Sequence, residues 1–420
     1  MLLIDTTIGA RTLSEVLKSL EQYEGLFNHK TPSHTSCRRW INQVGYYMLE
    51  IVPVEQASDW IFIVDNSIRM DNRKLCVVLG VKRSQLKKGQ SLSFKDIRLI
   101  TMRLVDKNKK VETVLEEAIN KAGKPISICS DLGPDVMPSI KAIMKKYKNV
   151  QHIPDMTHKA GNMLKKYLEK DAHWNEFITN VNQSKNRLKQ SSLCSLCPPN
   201  VRGQSRFLNC KDVMDWALRI IEMLESMDQE DPDYEVLKEK LGWAILQKED
   251  IKYFFELFEL AALAKELTRK LHIDKMGWIY AKNLLKRRGR SVRGNKFADE
   301  LIAFLKEQGE KVGEHEGACL LGCSEIVESV MSKVKFLDKE SGTSGFTRSV
   351  LGLAACLGPI DRKEIEKAFE NVNEKDINAW AKKHIGQTIQ SKRRKALKNL
   401  DRTKLEEELE RFIESKIKVA

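Results

Sequence analysis

The stretch Trp60–Val81, WIFIVDNSIRMDNRKLCVVLGV, decides how the rest of the chain is read. Trp60–Val64 is a run of β-branched and aromatic residues, Lys74–Val81 is a second strand-like run, and a polar turn joins them. An apolar strand closed by an acid is informative. Asp65 sits where the first strand leaves the core, so its carboxylate is expected to point out at a sheet edge. An Asp in that place also suits an ordinary turn, and the segments downstream bear on the choice.

Those segments repeat the pattern. Ser93–Asp106 reads as a third strand or a short helix, and Val111–Ala122 as a helix. Pro125–Ser130 is a short apolar strand followed by Asp131, and Val136–Tyr147 is a lysine-rich amphipathic helix. Val150–Pro154 is one more short strand, followed by Asp155. MTHKAGNMLKKYLEK then opens a helix that carries His158. With residues 93–106 as a strand, this is an α/β order with an antiparallel start. Ligands of α/β sheets gather at strand ends, so three acids after three strands form a constellation. Asp131 also suits a helix cap.

Working outward, residues 12–27 place Leu13, Val16, Leu17 and Leu20 on one helical face. Thr31-Pro32-Ser33 reads as a turn and helix start, and the helix after it carries Arg38, Arg39 and Trp40. This fits a helix-turn-helix DNA-binding module over residues 1–57, as it fits any two-helix hairpin with surface arginines. On the other side, residues 166–312 read as almost purely helical. Val213, Trp216, Ala217, Ile220 and Leu224 share a face, and Ile251–Leu271 and Phe297–Val312 are further helices. Within them, KNLLKRRGRSVRGNK (282–296) has seven basic residues and no acid. Lys286, Arg287, Arg288, Arg290 and Arg293 are therefore expected to contact phosphates, against the plain alternative of a solvated loop.

Composition agrees. A chain of 420 residues has room for two or three domains, and 72 basic against 58 acidic residues leave a net charge of +14. That balance favours a polyanionic partner, of which nucleic acid is the commonest. No apolar run approaches 18 residues, so no membrane-spanning helix is expected. The nine cysteines are scattered, and the sequence opens with no secretory signal, which suggests reduced thiols in the cytoplasm. Cys194/Cys197 and Cys319/Cys323 are separated by 121 residues, too weak a pattern for a shared zinc site.

The last informative stretch is CLLGCSEIVESVMSKVKFLDKESGTSGFTRSVLGLAACLG (319–358). Glu325 and Glu328 lie about one helical turn apart among Ile326, Val327, Val330 and Met331, with Lys333 and Lys335 close behind. Glutamates at this spacing are ordinarily a solvated face; the apolar setting is what singles them out.

Taken in order, these segments resemble the DDE transposases of bacterial insertion sequences. The resemblance rests on VDNS at Asp65, the hairpin strand LCVVLGV, SICSDLGPD at Asp131, IPDMTHK at Asp155 and His158, the helical stretch, and ESVMSKVK. It spans roughly residues 58–357. It implies an RNase H-like mixed sheet interrupted by a large all-α insertion: core over 58–165, insertion over 166–312, and a last core segment with a helical tail over 313–420. By the E-x6-K pattern of that family the glutamate is Glu328 and the lysine Lys335, with Lys333 also suited to DNA contact. The implied catalytic and metal-binding set is Asp65, Asp131 and Glu328. Asp155 competes with Asp131, and Glu325 with Glu328. His158 is expected to be structural or a phosphate contact. The implied cofactor is Mg²⁺, with Mn²⁺ as a substitute, because carboxylates suit hard divalent ions. The implied partners are double-stranded DNA, as element ends and target, and further copies of the chain on that DNA in the nucleoid. A nuclease that hydrolyses without joining, or a decayed transposase that only binds DNA, are the alternatives.

Overall fold

Side chains along the first strand alternate between two separate cores. Ile61 and Ile63 enter one apolar cluster, and Trp60, Phe62 and Val64 enter the other. The second strand does the same: Leu75, Val77, Leu79 and Val81 face one way, Cys76 and Val78 the other. A strand apolar on both faces must lie inside a sheet covered on both sides.

The structure is a computed structural model. It describes residues 2–6, 8–25, 27, 30–70, 73–106, 110–200, 210–286, 290–313, 318–339, 347–358 and 360–387, with 391, 394, 395 and 397. The side chains of 5, 67–70, 73 and 333–339 are not among what is described.

Five strands form one mixed sheet: β1 Trp60–Met70, β2 Arg73–Lys82, β3 Arg98–Val105, β4 Ser127–Ser130 and β5 Gln151–Pro154. Their order is β3-β2-β1-β4-β5. β1, β2 and β3 pair antiparallel, while β1, β4 and β5 run parallel. Residues 98–105 are thus a strand, the first of the two readings their sequence allowed.

Helices precede the sheet as α1 Leu2–Asp5, α2 Ala10–Glu24 and α3 His34–Tyr46, which runs on into a π-helical turn, Tyr47–Ile51. The sheet strands alternate with α4 Val111–Ala122, α5 Met137–Lys146 and α6 Met156–Leu168. Then come α7 Ala172–Leu188, α8 Lys211–Ser226, α9 Tyr234–Leu241, α10 Trp243–Leu246, α11 Lys248–Leu271, α12 Gly277–Leu285 and α13 Val292–Gly309. The chain returns to the sheet with α14 Glu325–Lys339 and α15 Gly352–Ala355, and continues as α16 Arg362–Asn371 and α17 Glu374–His384. Among the described residues none of these helices is long and apolar enough to cross a membrane.

One face of the sheet is covered by α4 and α5 through Val114, Leu115, Ala118, Ile140 and Ile143. The other face belongs to a single apolar cluster that runs through α2, α3, α6, the helices from α7 to α13, and α14 to α17. The N-terminal helices therefore share their core with the rest of the chain. Gly45 shows how closely: a Cβ there would collide with the Leu351 carbonyl oxygen. α3 can lie against residues 348–355 only because that position has no side chain.

Candidate active site

Parallel register brings the first two acids together. Val64 pairs with Ser130, and Ser130 with Pro154. The next residue on each chain is Asp65, Asp131 and Asp155, so the three acids stand in a row at one end of three adjacent strands. This corrects one expectation. Asp65 does not end its strand: β1 continues to Met70, and Asp65 pairs with Val77 inside the hairpin. What ends at that level is β4, and the space beyond its last residue opens the site beside β1.

Asp65 is half-buried, and its pKa is pushed up to about 6. Burial is the main cause; the Asp131 and Glu328 carboxylates add to it, while His158 opposes. Val327, Val330 and Met331 are buried, so α14 lies on the sheet by its apolar face and leaves Glu328 on the exposed side. α14 contacts β1 directly.

Asp155 has a different position. It is 1% exposed and caps α6, accepting from the His158 backbone N–H at 3.0 Å. Its other oxygen accepts from the Ser324 N–H at 2.5 Å and from the Ser324 hydroxyl. Its lone pairs are thus committed within the protein, and hydrogen bonds to the charged form hold its pKa low against burial. Asp155 ties the start of α6 to the residue before α14. His158 Nδ1 lies 3.6 Å from Asp155 Oδ1. The Asp155 carboxylate raises the His158 pKa to about 9, with Asp131 and Glu328 contributing. His158 is therefore an imidazolium at neutral pH.

Glu325 is also engaged elsewhere. Its Oε1 lies 2.9 Å from Lys265 Nζ on α11. The two glutamates of α14 thus face different neighbours: Glu325 the helical stretch, Glu328 the sheet acids.

Behind Asp131 is a buried polar relay. The Ser130 hydroxyl donates to the Asp131 carbonyl at 2.9 Å and lies 3.0 Å from His152 Nε2. With the serine proton so used, Nε2 must be the donor. Lys311 donates to the His152 carbonyl at 3.0 Å and to Gln308 at 2.6 Å. Burial, with Lys311 nearby, pushes the His152 pKa down to about 4, so the ring is neutral. Ser130, His152, Ser324 and Lys265 carry no sequence motif. Asp155 did have a signal, an Asp three residues before His158 at a helix start, which is the capping position.

The fit to Mg²⁺ is one of charge and donor type. Asp65, Asp131 and Glu328 offer only carboxylate oxygens, as a hard cation prefers. Their mutual repulsion, seen in the raised Asp65 pKa, is what a divalent cation relieves. As placed, no three His, Cys, Asp or Glu side chains among the described residues stand close enough to share one ion. The cysteines are all free, and Cys319 and Cys323 are buried while Cys194 is exposed.

The basic residues expected on DNA divide. Lys286 pairs with Asp299 at 2.5 Å, and Arg293 lies 3.7 Å from Asp171 and 5.3 Å from the Tyr253 ring centre. Arg290 is 10% exposed and pairs with Glu259 at 2.8 Å, with Glu256 4.0 Å away. It joins α11 to the start of α13 through these pairs. Arg287 and Arg288 lie outside the described residues, and so do the side chains of Lys333 and Lys335. Arg39 is exposed. Arg38 has Nε and Nη2 buried with no partner among the described residues.

The sequence matches no family model and no curated protein. Among solved structures, the chain is similar to the Drosophila P element transposase strand transfer complex, at 12% identity and a TM-score of 0.39. The match covers 86% of this chain and 94% of that one.

Proposed function

We propose that the chain is a DNA transposase of the DDE type, cutting and joining strands at the ends of a mobile element. The observation that supports this reading is the parallel register that sets Asp65 and Asp131 on adjacent strands at one end of a mixed sheet, with α14, which carries Glu328, packed against β1. The strand order β3-β2-β1-β4-β5, with an antiparallel start and parallel β4 and β5, supports the reading of an RNase H-like core. On this reading residues 58–165 and 313–357 form the core, and the helices of 166–312 are an insertion that shares its apolar cluster.

Asp65, Asp131 and Glu328 would hold Mg²⁺, which when bound activates the attacking oxygen and stabilises the leaving oxygen at phosphorus. The chain's own residues do the rest. Asp155 fixes the start of α6 to the residue before α14, the helix that carries Glu328. It also keeps His158 protonated, which leaves a positive charge beside the acids where a phosphate oxygen can be received. Ser130 and His152 hold the Asp131 loop from behind. Water as nucleophile breaks the phosphodiester by in-line displacement; a DNA 3′-hydroxyl in the same place joins strands.

The test is incubation of the full chain with DNA that carries the sequences flanking its own coding region, with Mg²⁺ or Mn²⁺. Nicks at the flanks and joined products are expected, and both should vanish with Asp65→Asn. Nicks without joined products would instead mark a nuclease that only hydrolyses.

A further inference from the structure

We propose that Lys265, on α11, is a positioning residue for the catalytic glutamate: its ion pair with Glu325 sets the rotation of α14 that turns Glu328 toward Asp65 and Asp131. The proposal rests on the transposase reading of the same site.

The segment leading into α14 is held at successive points. Ile273 and Leu320 exchange two backbone hydrogen bonds of 2.8 Å. The Met156 N–H donates to the Gly322 carbonyl at 2.9 Å. A Cβ on Gly322 would press on Ile273 and Thr268, so the segment runs tight against the end of α11. Ser324 is bound to Asp155. These contacts fix where α14 begins, Val327, Val330 and Met331 lay its apolar face on the sheet, and the direction of its polar side is held by what grips its first turn.

That grip is Lys265–Glu325, at 2.9 Å. Positions three apart on an α-helix differ by about 60° around the axis. With Glu325 drawn to α11, Glu328 is turned by that angle away from it, toward the sheet. The lining of the neighbouring cleft shows the same division. This space of about 560 Å³ is lined by Lys265, Glu266, Arg269, Glu325, Ile326 and Ser329, among others, and Glu328 is not part of it. Lys265 also senses the Glu328 charge, so both glutamates lie within its reach and geometry gives it Glu325.

The experiment is Mn²⁺ binding to the full chain, followed by electron paramagnetic resonance, with thermal unfolding alongside. Removing a positive charge near a cation site should tighten binding by Coulomb's law alone. Lys265→Met is expected to do the opposite and weaken Mn²⁺ binding about three- to fivefold, the size set by a partly exposed pair. The swap of Lys265→Glu with Glu325→Lys keeps the net charge and should restore affinity that each single change loses. Unchanged or tighter binding in Lys265→Met, or a swap no better than its singles, overturns the clamp. Asp65→Asn is the control for the underlying reading: if it binds Mn²⁺ like the parent chain, the carboxylate site itself is misassigned.

Discussion

At the scale of single residues, the site turns on two choices between similar acids. Asp155 spends its oxygens on Ser324 and on the start of α6, and Glu325 spends its charge on Lys265. On the proposed reading, Asp131 and Glu328 join Asp65 in the site. Asp65→Asn, Asp131→Asn and Glu328→Gln should each abolish strand cleavage and leave DNA binding, measured by mobility shift, nearly intact. An amide keeps the shape of the carboxylate and loses the charge a hard cation needs. Asp155→Asn should instead lower the unfolding midpoint, since a buried carboxylate loses charge-assisted bonds worth about 1.5–3 kcal/mol each, and should retain measurable cleavage below its melting temperature. His152 gives a pH prediction. Its folded pKa is depressed, so its stabilising contribution is present above about pH 6.5 and is lost as pH falls toward 4. His152→Asn should flatten the stability curve in that window, by at most about 1.4 kcal/mol per pH unit. Urea titrations of both proteins at several pH values measure the difference.

At the scale of elements, the sheet register and two helix junctions decide what the site can be. α3, read from sequence as part of a helix-turn-helix-like module, packs by Cys37, Ile41, Val44 and Gly45 into the common core. Gly45→Ala puts a methyl group into the Leu351 carbonyl. The expected loss is about 1–3 kcal/mol, the range for overpacking, read as a lower urea midpoint. The second junction is Arg290. Ser291 caps α13 and binds Glu256, and Arg290 reaches Glu259 on the same helix α11. Arg290→Ala is expected to destabilise the protein by about 1–3 kcal/mol while leaving DNA affinity unchanged, the reverse of what a phosphate contact would do. A salt titration of DNA binding on this variant distinguishes the two.

At the scale of the whole molecule, a net charge of +14 on 420 residues gives any DNA binding a large electrostatic share. Affinity should fall steeply with added salt, the logarithmic slope counting the phosphates neutralised. Arg38→Ala and Arg39→Ala are expected to reduce that slope by about one each if the start of α3 touches the backbone. An unchanged slope would move the DNA path elsewhere.

The sequence by itself determined four of the five strands, and that Asp131 and Asp155 follow two of them. Continuous β-branched apolar runs and short acid-terminated strands are local signals, written within a few residues of each other. It also showed a long helical stretch, because a 3.6-residue pattern persists through it. It could not choose between Asp131 and Asp155, or between Glu325 and Glu328. Within each pair the acids follow similar strands or share one helix face, and they differ only in partners that lie far along the chain. Ser324 is 169 positions from Asp155, and Lys265 sits on a helix with no motif. Nor could the sequence tell a basic loop on solvent from one already paired, because Arg290 finds its acids, Glu259 and Glu256, 31 and 34 residues away. Tertiary structure decided which partners Asp155, Glu325 and Arg290 have, since hydrogen bonds and ion pairs depend on distance in space, and only the folded chain sets that distance.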